Sequence, residues 1–178
     1  MISLKDVAGI YRTPLLDLVF EAARVHRMNF NPRHIQRSTL MSIKTGGCSE
    51  NCGYCSQSQH HKTHVKPTKM SNVADVVKAA RRAKENGSAR FCIGAAWREV
   101  GNKHAFKNII EMVRSIKSAT PDLEVCATLG MISLEHAKQL KDAGLTAYNH
   151  NLDTSREYYG NVATTRTSTE CASTISMT

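Results

Sequence analysis

No stretch of this 178-residue chain approaches the roughly 18 uninterrupted apolar residues that a membrane span needs. The N-terminus, Met1-Ile2-Ser3-Leu4-Lys5-Asp6, lacks a basic leader followed by an apolar block and a small-residue cleavage site, so secretion is not expected. Early acids (Asp6, Asp17, Glu21) also speak against a mitochondrial transit peptide, and the expected compartment is the cytoplasm. Neither a Gly-x-Gly-x-x-Gly turn nor a Gly-Lys-Ser/Thr loop is present, which weakens any nucleotide-binding reading. Aromatic residues make up only 6%, and none interleaves with the densest basic stretch, His60-His61-Lys62-Thr63-His64-Val65-Lys66. The formal charge of +9 is scattered along helix faces, so nucleic acid is not the expected partner.

What is present reads as alternating strands and helices. Thr13-Pro14 opens a helix with Leu15, Leu18, Val19, Ala22 and Val25 on one face, and Asn31-Pro32 ends it. Strands are predicted over 38–43, 89–94, 123–129 and 146–151. Between them fall helices over about 71–86, one with Phe106, Ile109, Ile110, Val113 and Ile116 inward, and one from Ser133 to Gly144. Four strands joined by helical crossovers specify a parallel α/β sheet. Half of an eight-unit barrel and a small doubly wound sheet both satisfy that pattern. The expected organisation is a helical extension over 1–37, a βα region over 38–163, and a Ser/Thr-rich tail over 164–178 that reads as frayed or disordered.

Six cysteines without an export signal argue against a disulfide framework. Cys48-Ser-Glu-Asn-Cys52-Gly-Tyr-Cys55 groups three of them, and three thiolates on one loop can hold three corners of an iron–sulfur cubane. The competing reading is a zinc knuckle completed by His60, His61 or His64. Gly46, Gly47 and Gly53 suit a backbone that curls around a metal group. Cys92 and Cys126 sit within apolar runs and, taken alone, read as inert core thiols. Asn149, Asn151 and Asp153 are two apart, so within a strand they would share one face, with His150 on the other.

The C-x3-C-x2-C spacing with an aromatic before the last cysteine resembles the radical S-adenosylmethionine superfamily. Ser42–Cys48, Tyr54–Ser58, Arg90–Trp97, Cys126–Gly130, Tyr148–Thr154, Tyr159–Asn161 and Thr165–Thr167 together resemble the biotin synthase family within it. The resemblance implies a partial (βα) barrel of the radical SAM/TIM type, about four of eight βα units, preceded by the N-terminal helix. It implies that Cys48, Cys52 and Cys55 hold a [4Fe–4S] cluster whose fourth iron S-adenosylmethionine chelates. Tyr54 would lie beside the adenine, Gly94, Ala95, Ala96 and Trp97 would meet the methionine portion, and Asn151 and Asp153 the ribose. Asn149 would face dethiobiotin, and Cys92 and Cys126 would be ligands of a [2Fe–2S] sulfur donor.

The implied reaction is hydrogen abstraction from dethiobiotin by a 5′-deoxyadenosyl radical, followed by sulfur insertion to give biotin. A flavodoxin- or ferredoxin-type electron donor and a homodimer come with the same resemblance, and no catalytic side chain beyond the ligands is assigned. Family members are longer, and the later cysteine and arginine of the [2Fe–2S] site have no counterpart here. The expectation is therefore a truncated product, with two open sheet edges and an uncovered apolar interior. The alternative is a fragment that holds a cluster or zinc without turnover. Cys171 lies where the resemblance has ended and is not expected to be a ligand.

Overall fold

A computed structural model describes residues 2–176, which divide into two compact units, Met1–Gln36 and Arg37–Thr178. The first holds α1 (Leu4–Tyr11) and α2 (Leu15–Asn29). The sequence reading missed α1, although Ser3-x-x-Asp6 carries its signal: the Ser3 side chain accepts from the Asp6 N–H while the Asp6 carboxylate accepts from the Ser3 N–H. Pro14, rather than Thr13, occupies the cap position of α2 and makes no side-chain cap bond. The Thr13 hydroxyl is instead given to the Gly9 carbonyl.

The second unit is a four-stranded parallel sheet in the order β1-β2-β3-β4. Its elements are β1 (Ser38–Lys44), α3 (Val73–Glu85), β2 (Arg90–Ala95), α4 (Lys103–Ala119), β3 (Glu124–Thr128), α5 (Leu134–Asp142) and β4 (Ala147–Tyr148). Two further helices follow, α6 (Tyr159–Val162) and α7 (Ser168–Ser176). Strand order follows chain order without a reversal, whereas a doubly wound sheet reverses at a switch point. One core unites one face of the strands with all three crossover helices: Phe91, Ile93, Val125 and Ala127 meet Val76, Ala80, Ile109, Met112, Val113, Ile116 and Leu140. The sheet is singly wound, as a segment of a (βα) barrel must be.

The opposite face is formed by three in-register rows. They are Ser38–Arg90–Glu124, Leu40–Cys92–Cys126 and Ser42–Gly94–Thr128. Arg90 and Glu124 form an ion pair at 2.8 Å. The expectation of an apolar interior is therefore corrected: of these residues only Leu40 is a large apolar side chain, and it is 70% exposed.

Two further expectations are corrected. β4 ends at Tyr148 rather than reaching 151, because its partner β3 stops at Thr128 and Gly130 turns away with φ +78°. The Asn149 N–H still reaches the Ala127 carbonyl at 2.9 Å, and the ladder ends there. The tail is not frayed over 168–176, where α7 forms. Thr167 and Glu170 cap this helix, since the Glu170 N–H is given to the Thr167 hydroxyl and the Glu170 carboxylate accepts the Thr167 N–H.

Candidate functional site

The loop after β1 leaves the sheet through Gly46 and Gly47, at φ +68° and +63°, a region that β-carbon-bearing residues seldom adopt. A Cβ on Gly46 would lie 3.1 Å from the Pro67 backbone, so the curl also requires close approach. Cys48 is fixed on both sides, its N–H to the Gln57 carbonyl at 3.0 Å and its carbonyl from the Gln59 N–H at 2.8 Å. Cys55 N–H closes a turn onto the Cys52 carbonyl at 3.0 Å. The second half of the loop is tied to the C-terminal segment, where Gly53 N–H meets the Val162 carbonyl and Thr164 N–H meets the Asn51 carbonyl.

All six cysteines are free thiols. Burial pushes the Cys48 thiol up, and it pushes Cys52 up to about 11, with the Glu50 and Asp153 charges adding to burial and Arg166 opposing it. Among the described residues, no three His, Cys, Asp or Glu side chains converge closely enough to hold a single metal ion. Three soft thiol donors on one curled loop are of the chemistry that an iron–sulfur cluster takes.

Around this loop lies a buried charge network that sequence reading did not single out. Glu50, between Cys48 and Cys52, is only 3% exposed. Its carboxylate accepts the Thr165 hydroxyl and pairs with Arg98 Nε at 3.7 Å and Arg166 Nε at 3.5 Å. Arg166 also pairs with Asp153, and its guanidinium approaches the Cys52 sulfur at 3.9 Å. Burial works against the Arg166 charge, but Cys171, Tyr159, Cys52 and Asp153 together hold it above its ordinary range. The loops after β1, β2 and β4 thus meet at the C-terminal end of the parallel strands, where such folds build sites. An acid inside a cysteine loop and an arginine directly after Trp97 were the available signals.

Tyr54 is 65% exposed, and its hydroxyl is given to Asp153 at 2.5 Å. Burial and this neighbouring carboxylate push the phenol well above its usual range. The Asp153 side chain is 6% exposed and is held by Tyr54, Tyr159 and Arg166. Asn149 and Asn151 are exposed. The three acid and amide residues do not share a strand face, because the chain is irregular beyond Tyr148. His150 is half-buried, and its Nε2 has no hydrogen-bond partner.

Gly94 and Ala95 lie in the β2 ladder opposite Ser42 and Lys44. Ala96 N–H is given to the Lys44 carbonyl and Trp97 N–H to the Ala95 carbonyl, so both amides are already engaged. Trp97 packs against the main core. Cys92 and Cys126 are direct neighbours in register on the sheet face away from that core. Burial first, then Cys126, push the Cys92 thiol up to about 11.

Cys171 is the unexpected member. It is fully buried with Cys52, Tyr159 and Ala163, with Cys55 packed against the same group. The Tyr159 hydroxyl lies 3.0 Å from its sulfur.

The Radical SAM superfamily profile matches residues 42–172. The chain is 52% identical over 172 residues to the biotin synthase of Schizosaccharomyces pombe, covering 96% of this chain and 47% of that one. It is 56% identical over 172 residues to the mitochondrial biotin synthase of Emericella nidulans, covering 43% of that protein. It is also 52% identical over 175 residues to the mitochondrial biotin synthase of Arabidopsis thaliana, covering 46% of it. The chain thus spans about half the length of the curated relatives it matches. Among solved structures, the FeFe-hydrogenase maturase HydG from Carboxydothermus hydrogenoformans superposes with a TM-score of 0.78 over 99% of this chain and 42% of that one, at 16% identity. That likeness bears on the fold alone.

Proposed function

The chain belongs to the radical SAM superfamily, and on that premise we propose that it carries the radical-generating site of a biotin synthase-type enzyme acting on dethiobiotin. The observation that carries this reading is the Cys48-Cys52-Cys55 loop at the C-terminal end of a singly wound parallel sheet, tied to the loops after β2 and β4 through Glu50, Arg98, Tyr54 and Asp153. When bound there, a [4Fe–4S] cluster and S-adenosylmethionine supply a carbon radical that takes hydrogen from an unactivated carbon.

The chain's own residues do the rest. Cys48, Cys52 and Cys55 hold the cluster, and the flat Tyr54 ring lies against the adenine. Asn151 and the neighbourhood of Asp153 receive the ribose, and the segment Gly94–Trp97 borders the methionine portion. Asn149 faces the dethiobiotin side. Cys92 and Cys126, adjacent on the open sheet face, supply two ligands to a [2Fe–2S] sulfur donor. A one-electron donor of the flavodoxin or ferredoxin type and assembly as a homodimer complete the proposal. Among the described residues no helix is long and apolar enough to cross a membrane. Six unpaired thiols suit a reducing compartment such as the cytoplasm.

Anaerobic reconstitution with iron and sulfide tests the reading. The expected product is a brown protein that releases 5′-deoxyadenosine from S-adenosylmethionine under strong reductant, and loses its iron when Cys48, Cys52 and Cys55 are replaced by Ala. Tight zinc binding with no cluster would overturn it.

A further inference from the structure

Resting on the cluster reading above, we propose that the basic segment 60–69 is the docking surface for a small acidic protein that delivers single electrons to the site. The sequence here is one-sided. No Asp or Glu occurs between Glu50 and Asp75, whereas Lys62, Lys66, Lys69, His60, His61 and His64 all fall in that interval. Lys62, His64, Lys66 and Lys69 are exposed, and none of the three lysines joins an ion pair among the described residues. The flanking acids do not compensate them. Glu50 is buried against Arg98 and Arg166, and the Asp75 carboxylate accepts from the Asn72 amide at the start of α3. Uncompensated surface charge of one sign steers an oppositely charged partner and speeds its encounter.

The same segment is bonded directly to the cysteine loop, which a merely solvated basic stretch need not be. The His60 ring N–H is given to the Ser49 carbonyl at 3.2 Å, the His61 ring N–H to the Cys52 carbonyl at 3.0 Å, and the Thr63 hydroxyl to the Ser56 carbonyl at 2.7 Å. Each acceptor belongs to a cysteine of the loop or to its immediate neighbour. Cys48 and Cys52 are buried, but Cys55 is half-buried beside exposed Ser56, so the loop reaches the surface where Thr63 holds it. At the far end Thr68 exchanges hydrogen bonds with Thr45, and Met70 packs on the core between strands and helices. A partner seated on the segment leaves the opposite sheet face, with Cys92 and Cys126, free for substrate. A nucleic acid would call for aromatic rings among the cations, and the segment has none. The carrier gives up one electron and the bound cluster gains it, with no bond made or broken.

The test uses the full chain, reconstituted anaerobically with iron and sulfide, and a chemically reduced acidic flavodoxin as the probe. Stopped-flow bleaching of the cluster gives the second-order transfer rate. The triple variant Lys62→Glu, Lys66→Glu, Lys69→Glu should lower that rate about tenfold or more and remove its fall with rising salt. The triple variant Lys107→Glu, Arg114→Glu, Lys138→Glu makes the same change in net charge at exposed positions of α4 and α5, and should stay within about twofold of the unaltered chain. Reduction by dithionite, which needs no docking surface, should be alike in all three proteins. An unchanged rate in the first variant, or an equal fall in both, would overturn the proposal. Lysine acetylation of the unaltered chain decides the matter should the first variant fold poorly. Flavodoxin should protect Lys62, Lys66 and Lys69 and leave Lys107 and Lys138 reactive. Protection of all alike, of none, or by a short RNA and not by flavodoxin would overturn the docking surface. A cluster that never assembles would overturn the function proposed above, and the acetylation pattern would still decide the surface.

Discussion

The Tyr54 hydroxyl donates a 2.5 Å hydrogen bond to the Asp153 carboxylate, joining the loop after β1 to the loop after β4 across 99 residues of sequence. Asp153 thereby carries two duties, since the same carboxylate neutralises Arg166. The two duties are separable by mutation. Tyr54→Phe removes the hydrogen bond and keeps the ring. Because Tyr54 is largely exposed, the expected cost is about 1 kcal/mol in a urea unfolding experiment, with the iron content of the reconstituted protein unchanged.

Asp153→Asn removes the charge and leaves Arg166 buried with Glu50 as its one carboxylate ion-pair partner among the described residues. Breaking a buried pair from one side costs about 3 kcal/mol or more, far above the Tyr54→Phe effect. Denaturant midpoints of the two variants side by side check the ranking. Equal losses would show that the ion pair contributes nothing beyond the hydrogen bond.

Gly130→Ala is expected to destabilise by about 2 kcal/mol or more. The residue sits at φ +78°, and an added Cβ would come within 2.4 Å of the Arg98 carbonyl oxygen and 2.5 Å of the Trp97 oxygen, both backbone atoms that cannot swing aside. The Met131 N–H to Arg98 carbonyl bond would be lost with it. Thermal unfolding together with faster amide exchange at Met131 is the readout.

Cys92→Ser and Cys126→Ser alter neighbours on the open sheet face, outside both the main core and the Cys52–Cys171 group. Little stability should be lost, and the iron held by the Cys48 loop should be retained. Iron and sulfide analysis after reconstitution would reveal a drop to zero if the two groups of cysteines served one cluster.

His150 provides a pH dependence of definite sign. Burial first, and then Arg166, push its pKa below 6.5, outweighing Asp153 and Glu50. The unfolded chain therefore takes up the proton before the folded one does. The stabilising contribution is complete above about pH 6.5 and is lost as pH falls through the folded value. His150→Gln should flatten that part of the stability curve, which unfolding midpoints at about pH 7.5 and about pH 5 would show.

The sheet was legible in the sequence because each crossover helix repeats its apolar positions with helical spacing and each of the three longer strands is bounded by turn residues. β4 was read too long, since the length of a strand depends on how far its partner continues, and β3 stops at Thr128. The Asn149, Asn151 and Asp153 alignment failed with it. The helix after Thr167 was missed although Thr167-x-x-Glu170 is a capping-box pattern, because a Ser/Thr-rich composition was given more weight than the cap. Cys171 was set aside because the family resemblance ends before it, and its burial against Cys52 is a contact that only the fold makes.

By itself the sequence determined the superfamily and pointed to the three-cysteine loop as its candidate ligand set, since spacing and residue type are local properties. It also determined the alternation of strand and helix, which hydrophobic period alone encodes. Tertiary structure decided what no local window contains: that the sheet is singly wound, that Cys92 and Cys126 are neighbours on its open face, and that Glu50 and Asp153 are balanced by Arg98 and Arg166 beside the loop. It also placed Cys171 against Cys52, at a separation of 119 residues in the chain. Burial, register and charge pairing between distant segments arise only when the chain closes on itself, and they turn a recognisable ligand motif into a particular site.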